Sequence, residues 1–573
     1  PAVHSIRQTN TSWAVFLNRP SVQLSVLLVF GYQAFFSNIS ISLFAEAEGL
    51  YAMVTHTMMA AQDYVHLSLL GKPYFNKPPL FFWLQAEMIH ELGWSEAAHR
   101  LPSAVASVGT MLTTYWFGWL LFSPLAGFWA ALVVATCYGG LWFGPLAIID
   151  PVMTFCMTLG LYGWARAYFM GSSHHWYVVG FAALAVGAMV KTLHAFALPA
   201  VTFAIFLWMR RDGRIFREWW FRIGFGVFGL MLSVYYVFLG QEFWQHFFFE
   251  ENLNRLVTVA GDTKNSAWEA YWGKRPIQWY GYTIWFDVFP WSVMIPIGFL
   301  LLWYQRPWRT TPQELLVFLW VVVYFLALSL VPEKHERYLL PLLPGVGLVV
   351  GYIYYTIFQR GPLPVGRGLL RALLGLVGIA YVVGVFLGPI LLQKKWYVPL
   401  DILPLSLRIG LGILGISLLG LAVMNRVRVG LMGVGVMGLA LMLTVTGFII
   451  PGIHDKGSPR FILHENQRWL AGQNDPILAF QSWGWRSDED QFYWNYLHGN
   501  ARIVGENLAD NFALEELKGE VQRTNSLVIM MTEGQYHLLI SPDQDLEATI
   551  LLEFHRSKKK IYLLSLRWRS PTA

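Results

Sequence analysis

The chain has 573 residues, of which 55% are hydrophobic, 16% aromatic and only 13% charged, with a mean hydropathy of +0.44. Soluble proteins carry about 25% charged residues, so this composition excludes an ordinary cytosolic enzyme, a disordered chain and a nucleic-acid binder. It points to a polytopic membrane protein. The net charge of +6 informs through where the charges sit rather than through their sum. Cys137 and Cys156, the two cysteines, both lie in apolar runs, and they are too few for a disulfide framework or a Cys-type metal site.

Taken in chain order, Arg7 and Arg19 precede an apolar run with no small-residue cleavage site after it, which reads as a retained first span. Runs long enough to cross a bilayer, about 17 to 25 residues, are predicted near 21–38, 101–122, 124–147, 150–171, 176–190, 193–209, 221–240, 285–304, 315–331, 338–358, 369–392, 403–424 and 429–452. The pair split at Lys191 also reads as one kinked segment. The arginines cluster in alternate loops, at Arg166, at Arg210 to Arg222, at Arg306 and Arg309, at Arg360 to Arg371, and at Arg426 and Arg428. That alternation predicts a cytoplasmic N-terminus and an external tail after residue 452, with Lys394 and Lys395 as exceptions.

Three longer pieces fall on the external side. The first, about 39–100, holds two stretches, Glu48 to Tyr64 and Phe81 to Leu92, that read as helices lying in the membrane interface around GKPYFNKPPL. The second, about 241–284, is rich in Trp, Tyr and His. The third is the polar tail, whose runs PILAF, ARIV, SLVIMM, TILLEF and IYLLSL are strand-like and whose NFALEELKGEVQ is helix-like. The expected architecture is an all-α polytopic membrane protein with about 13 transmembrane helices. Residues 1–452 form its membrane domain, with external amphipathic helices at about 45–95, and 453–573 a small C-terminal extracytoplasmic α/β domain.

Ionisable residues at membrane level are costly and mark functional sites. Here they are Glu46, Glu48, Lys77, Asp150, Lys191, Glu250, Glu251, Arg255, Lys334, His335, Glu336 and Arg337, followed by Tyr338. All map to the external end of the bundle. Each also has a plainer reading: Asp150 before Pro151 fits a helix N-cap, Lys191 a snorkelling lysine, Lys77 a solvated loop residue, and Lys334 and Arg337 flanking anchors. Lys77, Lys191, Arg255 and Arg337 together suit an anionic headgroup such as phosphate on a lipid carrier. Among the histidines His56, His194, His246 and His335, no pair has helical metal-ligand spacing.

The segments EGLYAMVTHTMMAAQDYVHLSLLGKPYFNKPPLFFWLQA, HRLPSAVAS, IIDPVMTFCMTLGLYGWA, GAMVKTLHAFALP, EENLNRL, DVFPWS and EKHERYLLPLLP resemble, in order and spacing, the bacterial lipid A aminoarabinose transferases and the protein O-mannosyltransferase-like proteins. These are membrane glycosyltransferases of the GT-C fold. The resemblance implies inverting transfer of a sugar from a polyprenyl-phosphate carrier to a lipid or protein acceptor at the outer face of a bacterial inner membrane, as in lipid A modification of the cell envelope. By the same resemblance Lys77 matches the lysine that holds the carrier phosphate. Asp150 matches the second acidic residue of the site, and Lys191, Arg255 and Tyr338 match positions lining its cavity.

The departures fall at the centre. Where the family reads Asp-Glu-x-Arg-Tyr, this chain has Ala47, Glu48, Gly49, Leu50 and Tyr51, so the principal catalytic aspartate is replaced by Ala47. Asn76 and Asn252 stand at the two positions that help bind a metal in the aminoarabinose transferases, so no metal cofactor is expected. An active enzyme would then use Asp150, with Glu48 or Glu46, to orient or deprotonate the acceptor. Carrier phosphate would be held by Lys77 with Lys191, Arg255, Lys334, Arg337, Tyr338 and Tyr51. The alternative is an inactive GT-C-fold protein, a pseudoenzyme that binds a lipid carrier or serves as a structural subunit beside other membrane subunits.

Overall fold

The computed structural model describes residues 19–41, 46–69, 72–247, 278–304, 311–331, 334–360, 367–396 and 403–452, and in the tail 477–480, 502–504, 526–532, 546–556 and 559–568, with a few single positions besides. The apolar runs fold as helices. They include Pro20–Phe35, Glu96–Leu121, Pro124–Thr136, Ile149–Phe169, Trp176–Val190, His194–Arg210, Trp219–Trp244, Met294–Tyr304, Pro312–Leu330, Leu343–Tyr355, Arg367–Trp396, Leu405–Val423 and Val427–Thr444. Among the described residues, six helices are long and apolar enough to cross a membrane, and five more are apolar but shorter. The chain is a multi-pass membrane protein, although the expected thirteen spans are not recovered one for one.

Helix starts follow sequence signals. Ser95 and Ser123 are N-caps whose hydroxyls accept from Ala98 N and Ala126 N, and Pro20, Pro124 and Pro312 open their helices. Inside the bundle, hydroxyls without water return to their own helix: Thr110 donates to Ala106 O, Thr114 to Thr110 O and Thr158 to Thr154 O. Two runs differ from expectation. The run 285–304 divides into Trp279–Asp287 and Met294–Tyr304, because Pro290 has no amide hydrogen and turns Phe289 away from helical geometry. The run 338–358 opens as a 3₁₀ turn, Glu336–Leu342, with Pro341 inside it, before the helix Leu343–Tyr355.

Packing is closest where glycines meet backbone. A Cβ on Gly351 would lie 2.3 Å from Ala126 O and one on Gly347 2.5 Å from Ala130 O, so Leu343–Tyr355 and Pro124–Thr136 touch along their main chains, as small residues permit in membrane bundles. Other helices keep apolar faces outward, for example Phe225, Leu230, Val234 and Val237 on Trp219–Trp244, the expected character of a lipid-facing side.

At one end of the bundle the helices Glu46–Ala61 and Leu80–Leu92 occupy the places of the two expected interface helices. Between them a short antiparallel pair, β1 (Ser68–Leu69) and β2 (Lys72–Pro73), closes the loop. A buried ion pair pins the first of these helices. Arg100 donates from Nε to Glu48 Oε1 at 2.7 Å and from Nη2 to Oε2 at 2.9 Å, and Ala147 N donates to Oε1 at 2.8 Å. Arg100 also donates to Ile41 O at 2.6 Å, and neither side chain of the pair is more than 2% exposed. One carboxylate thus ties together the first loop, the helix Glu96–Leu121 and the turn before Ile149.

All five strand-like runs of the tail appear as strands: β3 (Ile477–Phe480), β4 (Arg502–Val504), β5 (Ser526–Thr532), β6 (Leu546–Arg556) and β7 (Lys559–Trp568). They form one mixed sheet in the order β4-β3-β5-β7-β6, parallel at β3 with β4 and β5 and antiparallel across β5, β7 and β6. The helix-like NFALEELKGEVQ lies almost wholly outside the described residues.

Two substitutions test this packing. Gly351→Ala is expected to destabilise the bundle by about 1–3 kcal/mol through overpacking, read as a lowered thermal midpoint in detergent, whereas Gly229→Ala, whose Cβ meets nothing within 4 Å, leaves the midpoint in place. Arg100→Ala strands the buried Glu48 carboxylate and is expected to cost about 3–5 kcal/mol, seen as loss of monodisperse protein on size exclusion.

Candidate functional site

The strongest charge cluster is built around Asp150. The helix Ile149–Phe169 has Ile148 at its N-cap, with no capping bond from a side chain. Asp150, in the first turn, is therefore not the cap that its position before Pro151 permits. Its carboxylate, 1% exposed, faces inward instead, and Lys191 Nζ donates to Oδ1 at 2.6 Å while Arg337 Nε lies 3.7 Å from Oδ2. Negative charge near a helix N-terminus is favourable, and two cations from other parts of the chain compensate its burial.

Lys191 reaches Asp150 because the chain breaks there. It caps Trp176–Val190 with non-helical φ −132 and ψ −75, and a new helix starts at His194. Lys191 is 7% exposed and its ammonium sits 4.4 Å from the ring centroid of Tyr338, a cation–π contact that does not fit a snorkelling lysine. Arg337 and Tyr338 come from the turn Glu336–Leu342, which Tyr280 and Trp320 hold in place by donating to His335 O at 3.0 Å and Pro341 O at 3.3 Å. His335 stands edge-on to Tyr338 at 5.0 Å.

Tyr51 enters from the helix Glu46–Ala61. It is buried, edge-on to Phe81 and Phe82 at 6.0 and 5.8 Å. Burial raises its hydroxyl well above the usual range, Arg337 opposes that shift, and the Asp150 and Tyr338 charges add to it. Those same interactions place Tyr51 with the Asp150 cluster. Lys77, partly buried, donates to Asn76 O at 2.8 Å, and its charge is felt by His194 beside Lys191 and Asp150. An aromatic wall flanks this loop: Phe75 stacks on His246 at 4.6 Å, and Trp83 stands edge-on to Tyr235 at 6.0 Å.

Five residues expected at the site, Asp150, Lys191, Arg337, Tyr338 and Tyr51, are thus brought together, with Lys77 beside them. Glu48 is placed elsewhere, locked to Arg100. Lys334 is buried and donates to Val331 O at 2.7 Å. The Glu46 side chain, Arg255 and Asn252 lie outside the described residues, so the last of these leaves the expectation about a metal on sequence alone. Ala47, where the resemblance leads one to expect an aspartate, is buried at 8% exposure. Sequence reasoning passes over two buried charged residues. Arg100 belongs to HRLPSA, read only as a family mark, although an arginine opening a predicted span is itself a signal. Asp287 lies buried in a predicted span, with Oδ2 lacking a hydrogen-bond partner among the described residues.

Residues 76–237 match the family described as Dolichyl-phosphate-mannose-protein mannosyltransferase. Two curated relatives are both named Undecaprenyl phosphate-alpha-4-amino-4-deoxy-L-arabinose arabinosyl transferase. The one from Pseudomonas paraeruginosa is 26% identical over 64% of this chain and 66% of its own length, and the one from Edwardsiella ictaluri 25% identical over 58% and 59%. The chain thus spans less than two thirds of the length of these relatives. The crystal structure of ArnT from Cupriavidus metallidurans bound to undecaprenyl phosphate superposes with a TM-score of 0.69 at 17% identity, covering 97% of this chain and 98% of that one. The resemblance carried by the sequence motifs is therefore accompanied by a partial family match and by similarity to these relatives, and the chain has the fold of that structure, the GT-C fold.

Proposed function

We propose that the protein is a glycosyltransferase that takes a sugar from a polyprenyl-phosphate carrier and moves it to a lipid or protein acceptor, with inversion, at the outer face of the bacterial inner membrane. The observation that carries this reading is the cationic corner at one end of the bundle. There Lys191 and Arg337 close on buried Asp150, with Lys77 beside them and a wall of aromatic side chains next to the loop. Such a corner suits a phosphate whose lipid tail stays in the bilayer, and the names of the relatives favour the same substrate class. The arginine pattern favours a cytoplasmic N-terminus, with the corner and the strand-rich tail on the far side.

In this reading Lys77 binds the carrier phosphate through charge-assisted hydrogen bonds. Asp150 orients Lys191 and Arg337 so that both cations face the departing phosphate, whose growing charge they stabilise. Phosphate is an adequate leaving group without a general acid. Glu48 serves as the tie between the first loop and Arg100, which fixes the helix carrying Tyr51. Lys334 and Arg255 are further phosphate ligands, and Glu46 a further carboxylate near the acceptor. With Asn76 and Asn252 at the family's metal positions, no metal takes part.

Native mass spectrometry of the protein extracted gently from its own membrane tests the carrier site. Lys77→Ala is expected to weaken undecaprenyl phosphate binding about tenfold to a hundredfold, the loss of one charge-assisted hydrogen bond. Asp150→Asn is expected to abolish transfer while the protein still elutes as a monodisperse species. Stoichiometric partner subunits with no carrier lipid on the wild-type protein would favour an inactive structural subunit instead.

A further inference from the structure

The end of the bundle opposite the Asp150 corner carries a second concentration of charge. Asp150 opens the helix Ile149–Phe169 and Tyr168 lies in its last turn, about 27 Å further along the axis, close to the thickness of a bilayer core. There Tyr168 donates to Asp212 Oδ2 at 3.1 Å, which joins that helix to the connection between His194–Arg210 and Trp219–Trp244. The connection is firmly held. Asp212 accepts from Arg214 N at 3.2 Å, from Nε at 3.0 Å and from Nη2 at 2.9 Å. The 3₁₀ turn Arg214–Arg217 sets Ile215, 3% exposed, into the core. Residues 210–222 contain five arginines and two acids. Asp212 is taken by Arg214, and Glu218 stands 4.0 Å from His174 Nδ1. Arg211 and Arg217 are exposed, and among the described residues neither they nor Arg210 meets a carboxylate. The stretches 305–310 and 361–366, in loops that the arginine pattern assigns to the same side, contain no acidic residue either. Around these cations Trp208, Phe216, Trp219 and Trp220 are exposed.

We propose that this connection is a binding site for the headgroup of an anionic phospholipid, with Arg211 and Arg217 donating to its phosphate. A guanidinium offers paired N–H donors that match phosphate oxygens. Indole rings favour the bilayer interface, where the apolar body meets lipid chains and the N–H meets headgroups. Because Asp212 and Ile215 fix the turn in advance, little backbone freedom is lost when a lipid settles on it. Arginines in alternate loops also orient a membrane chain during insertion. That role accounts for their sign and their side, but it needs neither a turn locked by Asp212 nor a rim of exposed indoles. Arg426 and Arg428 supply the contrast. They are exposed on a loop assigned to the same side, next to the exposed aliphatic side chains Val423 and Met424. The lipid site is independent of the sugar-transfer chemistry proposed for the other end of the bundle.

The test uses full-length protein in detergent micelles doped with dioleoylphosphatidylglycerol or dioleoylphosphatidylcholine, with retained lipid counted by native mass spectrometry. Phosphatidylglycerol is expected to be retained in preference to phosphatidylcholine, and its retention to fall as salt rises. Arg211→Gln combined with Arg217→Gln is expected to weaken phosphatidylglycerol binding about 25-fold, at about fivefold for each arginine. Arg426→Gln combined with Arg428→Gln is expected to leave that binding unchanged. Arg211→Lys combined with Arg217→Lys keeps the orienting charge and so guards against a glutamine variant that fails to insert. It is expected to match the wild-type thermal midpoint and to bind phosphatidylglycerol more weakly, without the guanidinium fork. Equal retention of the two lipids by wild-type protein would overturn the site. So would equal losses in the two glutamine pairs, or wild-type binding by the lysine pair, and the arginines would then serve orientation alone.

Discussion

A buried carboxylate must be met by cations or it does not stay charged, and that constraint arranges the whole working end of this molecule. Asp150 sits at the start of one helix, and its two oxygens face Lys191 from a break between two others and Arg337 from a 3₁₀ turn. Three segments distant in sequence are therefore held in one place by a single side chain. Glu48 does the same for the neighbouring region, joining the first loop to Arg100 and to the main chain at Ala147. The two ion clusters share the turn between Ala147 and Asp150, so the loop that carries the family motif and the helix that carries the acid are fixed relative to each other.

The interruptions in the helices have the same logic. An uninterrupted span at 176–209 would carry Lys191 into apolar surroundings without a partner. The break places it against Asp150 and over Tyr338 instead. Helix breaks are tolerated in membrane bundles where the freed backbone lines such a site. The turn Glu336–Leu342 is a second interruption, and it presents Arg337 and Tyr338 from the opposite side. Elsewhere two helices pack closely where Gly347 and Gly351 let their main chains touch. Rigid packing behind the corner and broken helices around it are complementary: the first holds still what the second exposes.

Two acids that looked equivalent in the sequence have different surroundings. The Glu48 carboxylate is enclosed, with both oxygens bonded to Arg100 and one also to Ala147 N. Asp150 is equally buried, but it is met by two cations from separate segments, Lys191 and Arg337.

The multi-pass class, the helix-forming runs, the five strands of the tail and the residues of the corner are legible in the sequence, because they depend on composition, on run length and on where a charge interrupts an apolar stretch. Lys77, Asp150, Lys191 and Arg337 stand out for the same reason, that charge at membrane level is expensive. What a linear reading does not contain is which charges neutralise one another. Glu48 reads as well as Asp150 until Arg100, fifty-two positions away, is seen to enclose it. The run at 285–304 reads as one span until Pro290 divides it. The partnership of Lys191 with Asp150 and that of Arg100 with Glu48 are decided by tertiary structure alone, since pairing between distant helices depends on their packing and not on the spacing of residues along either one.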